Sequence, residues 1–298
     1  MKTMKIRLAE NFRAAFYAPF YVTQALGLYA REGLEVEFVT SAAPGDAVGG
    51  LIDGTIDLTW GGPMRVMRAH DTDPNSPLVC FGEVVARDPF HLVGRQDLTD
   101  FRLTDLARLR FATVSEVPTP WMCLQHDLRL AGVDPAALPR VTDRTMADNL
   151  AALRAGALDV VQLFEPFVAQ ALHGGFGKSV YAASARGPCV YTSFIATRAT
   201  VAAKADACMA VVRATAAMQK WLAAEGGAAL ATAVKTYFPD VAPELLADAL
   251  HRYHEANLWS VTPEMSRAGF ARLADSFLSG GALARIPSYE ACVPSSVR

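Results

Sequence analysis

Residues 34–39 alternate apolar and acidic positions with a period of two before closing on Phe38-Val39, the pattern of a strand with one face buried. Residues 5–9 read as a shorter strand, and 20–31 as a helix closed by Gly33 just past its apolar face. A turn at 43–46 opens a short helix over 47–53. Gly54-Thr55 then leads into a strand over 56–60, and Gly61-Gly62-Pro63 into a helix running through Met67. Three strand–helix units in succession predict a parallel sheet with helices on its faces.

Two more strands, 78–85 and 90–94, flank a polar bend at Arg87-Asp88-Pro89. A second series follows: a strand over 110–114, a loop over 115–120, a helix over 121–131, a short strand at Val141, a helix over 145–154 and a buried strand over 157–163. Residues 180–183 and 191–197 read as strands. Helices then dominate 200–280, with a loop at 236–243. Ile52-Asp53-Gly54-Thr55-Ile56-Asp57-Leu58 resembles Arg154-Ala155-Gly156-Ala157-Leu158-Asp159-Val160: a helix end, a glycine turn, then apolar-Asp-apolar. Such a repeat predicts two similar lobes. The helical tail needs a face to cover, and the first lobe has fewer helices of its own. The expected division is therefore 1–93 plus 196–298 for one lobe and 94–195 for the other, with strands near Leu92 and Phe194-Ile195 crossing between them. The fold class is α/β, two lobes, each a mixed sheet flanked by helices.

The composition narrows the function classes. Among 298 residues, 52% are hydrophobic and 19% charged, which excludes a disordered chain. Lys plus Arg number 28 against 30 Asp plus Glu, so no basic footprint for nucleic acid is present. The richest apolar run, 199–216, is interrupted by Lys204, Asp206 and Arg213 and does not read as a membrane span. The five cysteines are scattered without CxxC spacing and read as small core hydrophobes. His251 and Glu255 share a helix face but lack the HExxH order and a third ligand, so no metal site is expected. The amino terminus runs directly into the first strand without a secretory signal. Either the product is cytoplasmic or a leader has been removed.

Residues 18–37, with Pro19-Phe20-Tyr21, Gly27, Glu32-Gly33-Leu34 and Val36-Glu37, resemble the type II solute-binding proteins of ABC importers. The similar branch serves sulfonates, nitrate and thiamine-pyrimidine precursors. Residues 52–58 and Phe164-Glu165-Pro166-Phe167 match two further motifs of that branch, in order. The resemblance implies two α/β lobes that close like a hinge over one small-molecule ligand. It also implies an ABC permease as partner, a periplasmic location, a monomer and no cofactor.

In open α/β sheets ligands gather beyond the carboxyl ends of the strands. That rule selects Asn11, Phe12, Phe16 and Tyr17 after the first strand, Pro44 after the second, and Trp60, Gly61 and Gly62 at the third. In the second half it selects Ser115, Glu116 and Thr119, then Phe164 and Glu165. The rings offer flat walls, the glycines allow close approach of backbone, and Glu165 offers an acceptor for an amino group. Each ring alone fits core packing equally well, and Ser115 and Thr119 fit plain helix caps. Glu116 would repel an anion unless Arg13, Arg87 or Arg186 offset it. The set favours a flat, nitrogen-bearing or amine-bearing ligand.

The alternative is a cytoplasmic enzyme. One relative of this fold makes the thiamine pyrimidine from pyridoxal phosphate held by a lysine, with a histidine four residues on and a cysteine-rich run. Here Gly61 and Arg65 stand at those places and Cys189 is a single thiol. That chemistry does not carry over. Desulfinase or decarboxylase activity remains, with Cys189, His70 or His91 as participants.

Overall fold

The computed structural model describes residues 3–40 and 46–297. In chain order the strands are β1 (Met4–Ala9), β2 (Leu34–Val39), β3 (Leu58–Gly61), β4 (Leu78–Val85), β5 (His91–Arg95), β6 (Phe111–Ala112), β7 (Arg140–Val141), β8 (Val160–Leu163), β9 (Gly177–Ala182) and β10 (Thr192–Thr197). They form two five-stranded sheets, ordered β2-β1-β3-β10-β4 and β7-β6-β8-β5-β9. β1 runs parallel to β2 and β3, and β10 antiparallel to β3 and β4. The second sheet repeats this plan: β6 is parallel to β7 and β8, while β5 is antiparallel to β8 and β9. The chain changes sheet between Val85 and His91 and again between Ala182 and Thr192. The boundaries expected at 93/94 and 195/196 fall inside β5 and β10.

The sequence repeat has a physical cause. Asp57, just before β3, accepts from the backbone N–H of Arg7 at 2.8 Å, and Asp159, just before β8, accepts from that of Arg110 at 2.8 Å. One aspartate ties β3 to β1, and the other ties β8 to β6. Arg110 holds the Asp159 carboxyl below its ordinary range. Burial works against Asp57, yet the Arg7 N–H and Lys204 still keep it low.

The helices are α1 (Ala18–Ala25), α2 (Leu28–Arg31), α3 (Ala47–Asp53), α4 (Met64–Thr72), α5 (Thr119–Leu130), α6 (Met146–Arg154), α7 (Phe167–His173), α8 (Arg198–Ala203), α9 (Ala205–Val234), α10 (Pro243–Glu255) and α11 (Arg267–Ser279). The single helix expected over 20–31 is two helices. Gly27 takes φ 66°, a left-handed value that glycine reaches without a Cβ penalty, and α2 sets off in a new direction. The segment α9, broken at Gly226 where φ is 77°, packs on α1, α2 and the first sheet, and α10 packs on α9. α11 instead lies against α5 and α4. None of the helices among the described residues is long and apolar enough to cross a membrane.

One core carboxylate sets a pH dependence. Glu83 in β4 is 2% exposed, and its Oε2 accepts the Ser266 backbone N–H at 2.7 Å. Burial pushes this carboxyl up to about 7. The folded chain therefore binds a proton that the unfolded chain releases near pH 4.5. Stability from this group is full below that value and is lost as the pH rises to about 7, by about 3 kcal/mol. His91 acts in the opposite sense. Burial lowers it to about 4, so its contribution is full above pH 6.5 and is lost as the pH falls. The two slopes offset between pH 4.5 and 6.5. Glu83→Gln is expected to remove one of them, so that the thermal midpoint climbs with pH over this window. A midpoint-against-pH profile identical to wild type would contradict this.

Candidate functional site

Beyond the carboxyl ends of β1, β3 and β6 the two sheets enclose a hollow of about 50 Å³. That is room for a few water molecules, so the walls are drawn close together. The first sheet supplies Asn11, Phe12, Phe16 and Tyr17 from the loop after β1, and Gly62, Met64 and Arg65 from the start of α4. The second sheet supplies Val117, Pro118 and Thr119 ahead of and at the start of α5, and the two crossover segments add Phe90 and Tyr191. Ring packing makes the wall continuous. Tyr17 lies 4.3 Å from Phe16 and 5.2 Å from Phe12. Phe164 reaches across to Phe16 at 5.3 Å and meets Phe90 at 5.2 Å. The Tyr17 hydroxyl accepts from Asn11 Nδ2 at 3.1 Å, and burial raises its pKa above the ordinary phenol value.

Arg65 carries the charge of the site. Its guanidinium lies over Gly61, where a Cβ would stand only 2.6 Å from Nη1. Among the described residues no carboxylate pairs with it. Burial pulls its pKa below the usual arginine value, and the nearby Tyr17 hydroxyl works the other way. Two helices begin at the hollow, α4 after Pro63 and α5 after Pro118, and neither has a side-chain cap. Their first-turn N–H groups and the positive ends of their dipoles add to the field of Arg65.

Six of the residues chosen from the sequence line the hollow: Asn11, Phe12, Phe16, Tyr17, Gly62 and Thr119. Gly61 sits beneath Arg65, so its missing side chain makes room for protein rather than for ligand. Phe164 stands behind Phe16 and Phe90. Pro44 lies outside the described residues. Ser115 is exposed, and its backbone N–H donates to Arg144 O at 3.1 Å. Glu116 lines an adjoining outer groove of about 630 Å³, shared with Arg65 and Arg68, where it caps α6 by accepting from the Met146 N–H at 2.8 Å.

Trp60 and Glu165, expected to share the hollow, line neither it nor the groove. Trp60 is 0% exposed and stacks on Phe20 at 4.6 Å and 8°, one layer behind Tyr17, because its side of β3 faces α1. Glu165 is also 0% exposed, but its carboxylate is already occupied. Arg252 Nε donates to Oε1 at 2.6 Å and the Ala169 N–H to Oε2 at 2.9 Å. Burial raises this carboxyl above its ordinary value against the pull of Arg252. Buried and paired with Arg252, this carboxylate does not face the hollow as an acceptor for a ligand amine.

The arginines offered by the sequence are likewise engaged. Arg13 pairs with Glu10, Arg87 donates to Ser184 O at 3.0 Å, and Arg186 pairs with Asp88 and Asp127. Cys189 is fully buried, His70 contacts the carbonyls of Leu78 and Pro74, and His91 contacts Ser179 Oγ. None of the three lines the hollow. The sequence reading missed Arg65, Met64, Phe90, Val117, Pro118 and Tyr191. Extending the strand-end rule one helical turn past Gly62 reaches Met64 and Arg65. Phe90 and Tyr191 lie in the crossovers and follow no strand end.

Residues 15–229 match the family described as NMT1/THI5 like. YtlA of Bacillus subtilis (strain 168), itself only a candidate binding protein, is 23% identical over 98% of this chain and 88% of its own. Solved structures that share the fold include two sulfonate-binding proteins. The periplasmic aliphatic sulphonate binding protein SsuA of Escherichia coli superposes with a TM-score of 0.76 at 15% identity, covering 99% of both chains. The alkanesulfonate-binding protein SsuA of Xanthomonas axonopodis pv. citri, bound to MOPS, gives 0.73 at 15% identity, covering 98% of this chain and 99% of that one.

Proposed function

The chain belongs to the NMT1/THI5-like family, and from that premise we propose that it is a solute-binding protein whose two lobes close over a small organic anion. The observation that carries this reading is Arg65, a guanidinium at an aromatic hollow with no acidic partner among the described residues. A partly buried cation of this kind is stabilised by an anion brought in from outside, and two uncapped helix starts favour the same sign of charge. With Glu165 neutralised by Arg252, the expectation of an amine-bearing ligand gives way to a sulfonate or carboxylate on a flat or apolar body. The rings of Phe12, Phe16, Tyr17, Phe90 and Tyr191 would hold that body. The hollow is too small to admit such a ligand with its walls in place, so entry requires the lobes to part. Ligand then favours the closed form by its differential affinity. Delivery to an ABC permease, in the periplasm, follows from the same reading, and the periplasmic sulphonate binding protein of Escherichia coli supports the location.

Thermal-shift and calorimetric titration with alkanesulfonates, aromatic carboxylates and aminopyrimidines tests it. An anion is expected to raise the midpoint and bind. Arg65→Met is expected to weaken that binding by about 2–3 kcal/mol, roughly 30- to 150-fold, without lowering the fold's stability. Binding of aminopyrimidines alone, with the Arg65 variant unaffected, would overturn the proposal.

A further inference from the structure

α10 packs chiefly on α9 of the first-sheet side, and touches both the turn at Ala15–Tyr17 and, on the other side, α7. Three of its side chains nevertheless cross to the other side or to the first crossover. Arg252 donates to Glu165, two residues past the end of β8. The Tyr253 hydroxyl accepts the Glu165 backbone N–H at 2.9 Å and donates to Pro89 O in the crossover at 3.2 Å. Asp248 pairs with His173 at the end of α7. Tyr253 also packs edge-on against Trp259 at 5.9 Å, whose indole N–H donates to Phe16 O at 2.9 Å. Glu165 and Tyr253 are 0% and 1% exposed, whereas the His173–Asp248 pair lies in solvent and contributes little.

We propose that α10 is an interlobe strap, and that Arg252 and Tyr253 act as positioning residues that hold the lobes closed without touching the ligand. The argument is geometric. α10 is anchored to α9, so parting of the sheets draws Arg252 and Tyr253 away from Glu165. The carboxylate and two backbone groups then exchange protein partners for water. The strap sets the closed population of the free protein, and every ligand affinity inherits that factor. The inference rests on the proposed hinge closure but not on the nature of the ligand.

The test needs no ligand. Nitroxide labels at I52C on α3 and L130C on α5, both exposed and on opposite sheets, report the interlobe distance by pulsed electron resonance. All five native cysteines are buried and remain unlabelled. Arg252→Met and, separately, Tyr253→Phe are each expected to raise the open-to-closed ratio about tenfold. Arg252→Lys is expected to recover part of the shift. An unchanged distance distribution in both folded variants overturns the strap, because a merely structural role would lower the thermal midpoint without moving that distribution. If Arg252→Met does not fold, Tyr253→Phe decides, since it keeps the ring and deletes only the hydroxyl. A shift here alongside failure of every anion to bind would refute the ligand class and leave the strap standing.

Discussion

Arg186→Met is expected to destabilise the protein by about 3–5 kcal/mol, the range for breaking a buried ion pair from one side. Arg186 is buried between Asp88 of the first crossover and Asp127 of α5, with Nε 3.0 Å from Asp127 Oδ2. Burial by itself would favour its neutral form. The two carboxylates more than reverse that and hold it charged, well above the ordinary arginine value. Methionine fills a similar volume, so the loss is electrostatic. Asp88, 1% exposed, keeps the Phe90 N–H at 2.9 Å, and Asp127 keeps the Tyr181 hydroxyl at 2.6 Å, but neither retains a cation. A buried carboxylate without its cation titrates upward. Stability tied to it is therefore full at low pH and lost as the pH rises, so the deficit should be smaller at pH 4 than at pH 8. Urea unfolding at the two pH values checks both statements; a deficit below 1 kcal/mol at pH 8 contradicts the account.

The second large effect concerns Trp60. Trp60→Ala is expected to cost about 3–5 kcal/mol of folding stability, because it empties a site between β3 and α1 that the stacked Phe20 cannot refill. Trp60→Phe should cost much less. It retains a ring against Phe20 and deletes an indole N–H that has no hydrogen-bond partner among the described residues. Neither side chain lines the hollow, so an anion's affinity for the Phe variant should match wild type. Denaturant titration gives the stabilities and calorimetry the affinities. Weakened binding by a fully stable Phe variant would move Trp60 back into the site.

These two residues mark the limit of what was legible beforehand. The strand-end rule selected loops that meet around one hollow, and six of its residues line it. It could not say which side of β3 Trp60 would occupy, since a period of two shows alternation but not direction. It also could not separate a wall from the layer behind it, because Phe164 and Phe16 present the same chemistry. The fold was more accessible. Periodicity marked nearly every strand, although Gly27 split a helix that read as one, and the Asp57 and Asp159 repeat carried the plan of both sheets.

Charge shows the division most clearly. The amino-acid order by itself determined where strands, helices and the two-lobed repeat would form, because those depend on patterns spanning a few residues. Only the tertiary structure decided which charged groups cancel. Arg252 and Glu165 are 87 positions apart, and Arg186 lies 98 from Asp88 and 59 from Asp127. Such pairing depends on distance in space, and the interaction falls off too steeply for composition or spacing to report it. Among the described residues, Arg65 stands at the hollow without a carboxylate partner, which shows only after the other arginines have been matched to theirs.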